Sequence, residues 1–222
     1  MTRENELPIV VAITGASGAM YAIGLLQALM KFCDRPIHLT ISPSGAAVLQ
    51  QETELRLSLN KLEVAALVNH RPAWLDAESD GGQRVDADSV GSRIHYHHYQ
   101  DYMTPIASGS FRTAGMIVCP CSGSTLSGIA RAAGSNLIQR AAEVHLKERR
   151  RLVLVPRETP LSTFALENMH RVSVAGGIVL PAMPGWYHGV TTLASLIDFV
   201  VARILDQFDI DNDLMQRWKA EG

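Results

Sequence analysis

Glycine, hydroxyl-bearing and charged residues recur in this sequence directly after its buried apolar runs. The run Ile9–Thr14 is followed by a Gly-Ala-Ser-Gly turn at Gly15–Gly18, and the run Gly115–Pro120 is followed by the hydroxyl-rich stretch Ser122–Thr125. Glycine lets a backbone approach a phosphate closely, and the N-terminus of the next helix supplies N–H donors and a positive dipole. We therefore predict that the first turn binds the phosphate of a nucleotide-like cofactor and that the second forms another polar cradle. The alternatives are an ordinary turn without a ligand and simple helix capping.

The spacing of these residues favours a mononucleotide cofactor over a dinucleotide. The fingerprint Gly-x-Gly-x-x-Gly is absent, and no acidic residue ends a second strand about 20 residues after the turn. The second strand ends instead in Thr40-Ile-Ser-Pro-Ser44. Hydroxyl groups at a strand end suit FMN better than the ribose diol of NAD.

An arginine and a glutamate, Arg157 and Glu158, follow another apolar run and stand between two prolines. Charge beside a buried strand is costly unless it is used. An arginine can hold a phosphate through two parallel hydrogen bonds, and a glutamate with a raised pKa can act as an acid or base. The alternative is a structural ion pair.

Further cations and an aromatic segment complete the candidate set. Arg140 and Lys147 are two helical turns apart on one face, so they either point into a phosphate site or end a solvated basic helix. Arg203 interrupts an apolar helix, where it either reaches a phosphate or extends to the surface. The segment Pro181–His188 offers an apolar wall with the phenol of Tyr187, suited to a flavin ring, an isoprenoid or plain packing. The whole set suits an enzyme that binds two phosphate-bearing molecules and transfers a group from one to the other.

Composition excludes several other classes of function. The chain has 222 residues, of which 47% are hydrophobic, and a formal charge of -2. The length and hydrophobic content predict a single domain over 1–222 with a real core, and the charge argues against nucleic-acid and membrane-surface binding. No apolar run approaches the roughly 20 residues of a membrane span. Three cysteines and a polar start without a signal peptide predict a reduced, cytoplasmic setting, and no ligand spacing predicts a metal.

Apolar and amphipathic segments alternate along the chain, which predicts a parallel sheet with helices on both faces. The predicted strands are Ile9–Thr14, Ile37–Ser42, Gly115–Pro120, Leu152–Val155 and Gly177–Leu180. The predicted helices are Ala19–Phe32, Pro43–Gln51, Asn60–Val68, Thr125–Arg131, Asn136–Arg149, Thr163–Val174 and Thr191–Gln207. Residues 71–100 are predicted as an excursion loop, which ends in an aromatic and histidine-rich stretch. Right-handed crossovers would bring the residues that follow each strand to one edge of the sheet.

The motifs in this order resemble those of the UbiX-type flavin prenyltransferases, over residue 8 to Trp218. The matching stretches are Thr14-Gly-Ala-Ser-Gly-Ala, Glu52-Thr, Ser108-Gly-Ser-Phe111, Pro120-Cys-Ser with Thr125-Leu-Ser-Gly128, Arg140-Ala-Ala-Glu-Val, Leu146-Lys-Glu-Arg-Arg, Arg157-Glu-Thr-Pro-Leu161, Trp-Tyr-His188 and Arg203-Ile-Leu-Asp-Gln-Phe208. The resemblance implies a flavodoxin-like or Rossmann-like three-layer αβα sandwich. It also implies a homododecamer with sites between subunits and no metal requirement.

The activity implied by the resemblance is transfer of a dimethylallyl group from dimethylallyl monophosphate to N5 and C6 of reduced FMN. The product, prenylated FMN, is the cofactor of UbiD-type decarboxylases. The implied FMN-binding residues are Gly15, Ala16, Ser17, Ser42, Ser122, Gly123, Ser124, Thr125 and Arg157. The implied substrate-binding residues are Tyr187, Arg203, Arg140, Lys147 and Trp218. The implied catalytic residues are Ser17, Glu52, Lys147 and Glu158.

Particular roles follow from the same resemblance. Ser17 would assist proton movement near N5 of the flavin, and Glu158 would exchange a proton with the leaving phosphate. Residues 209–222 would form a tail that closes over a neighbouring site through Trp218. The loop at 71–100 is longer than in the shortest members of the family, which leaves the choice between a monophosphate and a diphosphate donor open. The alternative functions are those of a flavin-dependent decarboxylase and of an accessory FMN-carrier subunit of an aromatic acid decarboxylase.

Overall fold

Six strands form one sheet with helices on both faces in the computed structural model, which describes residues 7–76 and 85–218. The strands are β1 (Ile9–Ile13), β2 (Ile37–Ile41), β3 (Ile94–His98), β4 (Gly115–Cys121), β5 (Arg151–Pro156) and β6 (Ile178–Val179). The helices are α1 (Ala19–Phe32), α2 (Pro43–Thr53), α3 (Val64–Val68), α4 (Ala73–Asp76), α5 (Ala87–Arg93), α6 (Gly123–Ala130), α7 (Leu137–Lys147), α8 (Thr163–Val174) and α9 (Leu193–Asp206), with a 3-10 turn at Pro105–Ala107.

The strands lie in the order β3-β2-β1-β4-β5-β6, and all neighbours run parallel. This is the order of a Rossmann-like doubly wound sheet, in which the chain reverses its direction of winding between the first and fourth strands. In sheets of this order, ligands bind in a crevice at that point, here beyond the carboxyl ends of β1 and β4. The three-layer α/β prediction is confirmed, and the topology places the candidate site at this crevice.

The two faces of β1 explain why its sequence is continuously apolar. Val11 and its neighbours on one face pack into a core with α1 and α9. Val10 and Ala12 on the other face pack into a second core with α6 and α7. Every residue of β1 is buried because helices cover both sides of a parallel sheet. The rigid central strands therefore hold the loops that follow them in fixed positions.

The prediction of a loop over residues 71–100 is wrong for most of the described part. The segment contains α4, α5 and the edge strand β3, which pairs with β2 at Ile37 and Ile94. The sequence of β3 lacks apolar alternation because its residues after Ile94 are only partly buried or exposed. His97 there hydrogen-bonds His38 of β2, with 2.7 Å between Nε2 and Nδ1. The middle of the predicted loop, residues 77–84, lies outside the described residues.

Other boundaries differ from the predictions by a few residues. The predicted helix at residues 60–68 is shorter, since α3 begins at Val64, and β6 is shorter than the predicted strand at 177–180. The polar start at residues 1–6 and the last four residues of the predicted tail, 219–222, lie outside the described residues. Among the helices that are described, none is long and apolar enough to cross a membrane.

Candidate functional site

Thr14 joins the ends of β1 and β4 and so fixes the two sides of the crevice. Its buried hydroxyl donates to the carbonyl of Pro120 at 2.8 Å and accepts from the backbone N–H of Ser122 at 2.8 Å. Its own backbone N–H also donates to the carbonyl of Pro120, at 3.2 Å. The turn Gly15–Gly18 and the stretch Ser122–Thr125 consequently leave the sheet side by side, as the sequence predicted.

Glu52, at the end of α2, caps the N-terminus of α1. One carboxylate oxygen accepts from the N–H groups of Gly18 at 2.9 Å and Ala19 at 2.8 Å, and the other lies 3.2 Å from the same N–H of Gly18. The prediction that α1 offers free N–H donors to a phosphate is therefore wrong, because a carboxylate already takes them and would repel a phosphate. Gly18 suits this turn, since its φ of 116° lies in a region that side chains rarely adopt.

The first turn of α2 lies against the Gly15–Gly18 turn. Ser42 caps α2 by accepting from the N–H of Gly45 at 3.0 Å, and its hydroxyl lies 3.1 Å from that of Ser44. A Cβ at Gly15 would come within 2.5 Å of Ser44, so only glycine permits this approach. Two hydroxyls thus lie at the N-terminus of a helix, directly beside the crevice.

The first turn of α6 presents a second group of hydroxyls on the other side of the crevice. Ser122 caps the helix by accepting from the N–H of Thr125 at 3.3 Å. The Ser122 hydroxyl also lies 3.0 Å from that of Thr125 and 3.2 Å from that of Ser124. Capping accounts for Ser122, but Ser124 is exposed and is left for a ligand. The first turns of α2 and α6 both carry hydroxyl groups, which suit the phosphate and hydroxyls of a mononucleotide.

Arg157 and Glu158 reach this crevice from the end of β5. Nε of Arg157 donates to the backbone carbonyl of Ser17 at 3.1 Å, across 140 residues of sequence. The Glu158 carboxylate points toward the first turn of α6, since a Cβ at Gly123 would lie 3.4 Å from its Oε2. Burial raises the pKa of Tyr21, and the guanidinium of Arg157 partly offsets that effect. The side chains of Glu158 and Ser17 are both exposed.

An aromatic wall lies beside α9 and contains two of the predicted substrate-binding residues. The ring of Tyr187 meets those of Phe199 and Trp218 edge-on, with centroids 5.8 Å and 5.3 Å apart. His188 stacks on Phe199 from the other side at 5.0 Å. Tyr187 remains 51% exposed and Trp218 67% exposed, so the wall keeps an open apolar face. Trp218 contacts Tyr187 of its own chain, and its predicted reach to a neighbouring site stays a prediction.

Arg203 lies one helical turn after Phe199 on α9, so it shares the face that carries the aromatic wall. Its guanidinium pairs with Asp206 at 2.7 Å, and Asp206 also binds Arg217 of the tail at 2.7 Å. Burial alone would raise the pKa of Asp206, but the hydrogen bond from Arg217 and the charge of Arg203 outweigh it and lower that pKa. The tail is thus held to α9 by one ion-pair network, and Arg203 keeps nearly half of its side chain exposed.

Within one chain, Lys147 does not join the rest of the site. The helix α7 begins beside the carboxyl end of β3, where the N–H of Leu137 donates to Tyr99. It ends at Lys147, four residues before β5 begins, and therefore at the opposite edge of the sheet. Lys147 pairs there with Glu148 at 3.4 Å. Only a second subunit could bring such a lysine to this crevice.

Arg140, in the first turn of α7, is also engaged away from the aromatic wall. Its Nε donates to the carbonyl of Ala107 at 3.2 Å, and it pairs with Glu143 at 3.5 Å. More than a third of its side chain stays exposed, so it is accessible to a neighbouring molecule. The predicted roles of Arg140 and Lys147 at a shared site stay predictions.

Sequence reasoning missed several residues that the fold brings to the site. Ser44 and Tyr21 flank the Gly15–Gly18 turn, and Phe199 and His188 support Tyr187. The hydroxyl-rich end of β2 was a usable signal for Ser44. No local pattern distinguishes Phe199, because apolar residues recur in α9 with the spacing found in any helix that packs against a core.

Cys119, Cys121 and His38 lie outside the crevice and are buried. Burial keeps the Cys119 thiol protonated and raises the pKa of Cys121 to about 12, so neither is a nucleophile. Burial, followed by the nearby charges of His97 and His95, lowers the pKa of His38 to about 4. No three histidine, cysteine or carboxylate side chains gather around a possible metal position in the part of the chain that the structure describes.

Comparison with known proteins places this geometry in a family. A family model described as Flavoprotein matches residues 1–205. The protein named Flavin prenyltransferase UbiX from Halalkalibacterium halodurans is 44% identical over 211 residues, which cover 95% of this chain and 93% of that protein. The protein of the same name from Pseudomonas aeruginosa is 41% identical over 210 residues, with 95% and 93% covered.

Solved structures agree with the sequence relatives. The crystal structure of AnUbiX in complex with FMN and dimethylallyl pyrophosphate has a TM-score of 0.79 and 37% identity, and covers 98% of this chain and 100% of its own. The cysteine decarboxylase TvaF, which is 13% identical with a TM-score of 0.52 over 91% of this chain and 98% of its own, shares the fold alone. The chain therefore belongs to the flavoprotein family and, within it, to the UbiX-type flavin prenyltransferases.

Proposed function

We propose that this protein transfers a dimethylallyl group from dimethylallyl monophosphate to N5 and C6 of reduced FMN. The observation that carries the proposal is the presence of two different surfaces on elements that pack together, since α9 lies against α1 with Ile197 at Gly24. One is the hydroxyl-lined pair of helix N-termini, and the other is the aromatic wall with Arg203. A flavin carrier would need the first surface but not the second. The AnUbiX structure, which aligns along nearly the whole chain, contains both kinds of ligand.

The donors around the crevice fit FMN. Gly15 leaves room that a Cβ would fill, and the first turns of α2 and α6 supply hydroxyls and N–H groups for a phosphate. When bound, reduced FMN supplies an electron-rich ring that takes up an allyl cation-like carbon. The residues proposed to hold it are Gly15, Ala16, Ser17, Ser42, Ser122, Gly123, Ser124, Thr125 and Arg157, to which the structure adds Ser44 as a neighbour.

The chain's own residues supply binding, charge stabilisation and proton transfer. Tyr187 and Arg203 bind the allyl phosphate, and the ring of Trp218 excludes water from the allyl chain. Arg203 and Arg157 stabilise negative charge that develops on the departing phosphate. Glu158 exchanges a proton with the leaving phosphate, while Ser17 assists proton movement at the flavin edge. Glu52 acts indirectly, since its hydrogen bond to Ala19 holds the turn that carries Ser17.

A second subunit completes the site in this proposal. Lys147 lies at the far edge of its own sheet, and Arg140 is accessible from outside. Several large apolar side chains are exposed, including Trp186 at 72%, Phe164 at 71% and Met183 at 62%. Exposed apolar groups of this size mark interaction surfaces. A related structure 37% identical to this chain is described as a dodecamer, and we propose the same homo-oligomer here, with residues 209–222 closing over a neighbouring site.

The product defines the partner and the setting. Prenylated FMN is consumed by UbiD-type decarboxylases, so we propose such an enzyme as the recipient. The reduced thiols and the need for reduced flavin suit a cytoplasmic location.

Mass spectrometry of the flavin tests the activity directly. The protein is incubated anaerobically with reduced FMN and dimethylallyl monophosphate, and in a parallel arm with the diphosphate. FMN heavier by one dimethylallyl group is the expected result in the monophosphate arm. Formation of product only in the diphosphate arm would keep the transfer and correct the donor. Retained but unmodified FMN in both arms would refute prenyl transfer.

A decarboxylase is the second candidate function, since two related structures carry that description. These are a dodecameric FMN-dependent UbiX-like decarboxylase from Escherichia coli O157:H7, and a phenylacrylic acid decarboxylase from Aquifex aeolicus that is 35% identical with a TM-score of 0.74. The same incubation with an aromatic acid in place of the allyl phosphate distinguishes the two. Release of CO₂ by the purified protein alone, with unmodified FMN, would favour the decarboxylase.

A further inference from the structure

A large basic cleft lies at the edge of the sheet opposite the crevice. Its volume is about 660 Å³, within the range of small-molecule pockets. Its lining comes from the amino ends of several strands: Leu7 precedes β1, Ala114 precedes β4, and Arg151 and Ile178 begin β5 and β6. Along β5, the six steps from Arg151 to Arg157 span about 20 Å at roughly 3.3 Å per residue. The cleft is therefore a separate site from the proposed active site.

Five arginines converge on this cleft from distant parts of the chain. The arginines are Arg35, Arg112, Arg149, Arg150 and Arg151. A basic residue after the last turn of a helix complements the helix dipole, which accounts for Arg149 at the end of α7. The dipole of α7 does not account for Arg35, which precedes β2, or Arg112, which precedes β4. The fold has gathered these charges although the sequence separates them by up to 116 residues.

The cleft has far more positive than negative charge. Asp209 is the one acidic residue among those that line it, and it pairs with Arg151 at 3.0 Å. Arg150 is directed inward, where it donates to the carbonyls of Phe111 and Gly109. The three other arginines of the lining are Arg35, Arg112 and Arg149, and Asp209 is the one carboxylate beside all five.

Two lining residues have backbone conformations that are costly for residues with a side chain. Arg149 has a φ of 57° and Asp209 a φ of 54°. Glycine or asparagine usually occupies the left-handed position after a helix. Glu54 and Ala132, which do not line the cleft, have the same conformation after α2 and α6, so the conformation of Arg149 and Asp209 reflects their positions after helix ends.

Apolar side chains form the rest of the lining. Ile178 and Leu146, which are partly exposed, supply hydrophobic surface, and Arg151 lies over the ring of the buried Phe208 at 5.7 Å. The hydroxyl of Thr113 is fixed by the buried His145, with 2.8 Å between Oγ1 and Nε2. Arginine is suited to phosphate because its planar fork donates two parallel hydrogen bonds. The apolar floor leaves room for a small organic group beside the phosphate.

We propose that this cleft binds a small phosphorylated anion, held by Arg112 and Arg149 and seated against Leu146 and Ile178. The shared chemistry is a phosphate or diphosphate group, which either a free inorganic diphosphate or a phosphate monoester can supply. The cleft lies at the opposite edge of the sheet from the flavin crevice of the same chain.

Calorimetry on the protein saturated with oxidised FMN and dimethylallyl monophosphate tests this site, because these ligands then occupy both phosphate-binding regions of the crevice without turnover. Inorganic diphosphate and adenosine monophosphate are titrated separately at low ionic strength. Binding in either arm that weakens with added salt is expected, and the arm that binds identifies the source of the phosphate. Arg112→Gln and Arg149→Gly are each expected to raise the dissociation constant about tenfold or more. Arg56→Gln, at an exposed arginine away from the cleft, is the matched control with unchanged affinity.

The stability of Arg149→Gly separates lost binding from lost folding. Glycine adopts the left-handed conformation freely, so the ligand-free variant is expected to melt no lower than the wild type. Absence of binding in both arms, or equal affinity in wild type and cleft variants, would overturn the proposal. Light scattering that shows dissociation of the cleft variants, with no anion binding to the wild type, would instead identify the cleft as a contact between subunits and also overturn it.

Discussion

Removal of the Glu52 carboxylate is expected to destabilise the protein through α1, not through α2 where the residue is located. The carboxylate accepts from the N–H groups of Gly18 and Ala19 at 2.9 and 2.8 Å. Hydrogen bonds to a charged group contribute about 1.5–3 kcal/mol, and removal of a helix cap typically costs about 1 kcal/mol. Since Glu52 is only partly buried, water replaces some of this loss. We expect Glu52→Ala to lower the free energy of unfolding by about 2 kcal/mol, and Glu52→Gln by about half of that.

Urea denaturation at fixed protomer concentration measures this loss, and thermal unfolding should show a melting temperature lower by about 4–8 °C for Glu52→Ala. Gln51→Ala is the matched control, since Gln51 is exposed on the same helix. Inorganic phosphate should restore part of the stability of Glu52→Ala and little of that of the wild type, because the vacated donors of α1 form an anion site. Unfolding free energies of wild type and Glu52→Ala that coincide, or equal stabilisation of both by phosphate, would refute the reasoning.

Three further predictions follow from single contacts. Glu158→Gln should retain FMN but lower the rate of prenyl transfer by about 10²–10⁴-fold, as measured by mass spectrometry of the flavin; a normal rate would rule out its acid/base role. Gly18→Ala should destabilise the protein by about 1–2 kcal/mol in urea, because φ is 116° and the added Cβ would lie 2.8 Å from the Tyr21 ring, and an unchanged midpoint would contradict this. Burial lowers the pKa of His145 to about 4, so its neutral form stabilises the fold above pH 6.5 and this contribution is lost as the pH falls toward 4. The wild type should lose about 1.4 kcal/mol per pH unit more than His145→Gln over that window, and parallel pH profiles would exclude the effect.

The residues at the crevice could be predicted from the sequence because a parallel sheet brings the ends of its strands to one edge. When strands alternate with helices, the residues after each strand meet at one edge of the sheet. Ser17, Ser122 and Arg157 could therefore be grouped before any coordinates, and the contact between Arg157 and Ser17 confirms that they meet. Their roles toward the ligands remain predictions.

The histidine-rich strand β3 was missed because strand recognition relies on apolar alternation. An edge strand is covered on one side only, and β3 fills part of its interface with His97 against His38 instead of aliphatic side chains. Its pairing partner is 57 residues away at each registered position, so no local signal reveals it.

The amino-acid sequence by itself determined the class of fold, the crevice-facing turns and the family, because each depends on short patterns of apolar, glycine and charged residues. The tertiary structure decided which groups are free to bind a ligand. In the folded chain, the N–H donors of α1 bind the Glu52 carboxylate, Trp218 packs against Tyr187, and Lys147 lies at the far edge of its own sheet. The fold also gathered five arginines into one cleft. These contacts join residues that are far apart in the chain, and only the closed packing of strands and helices brings them within hydrogen-bonding or van der Waals distance.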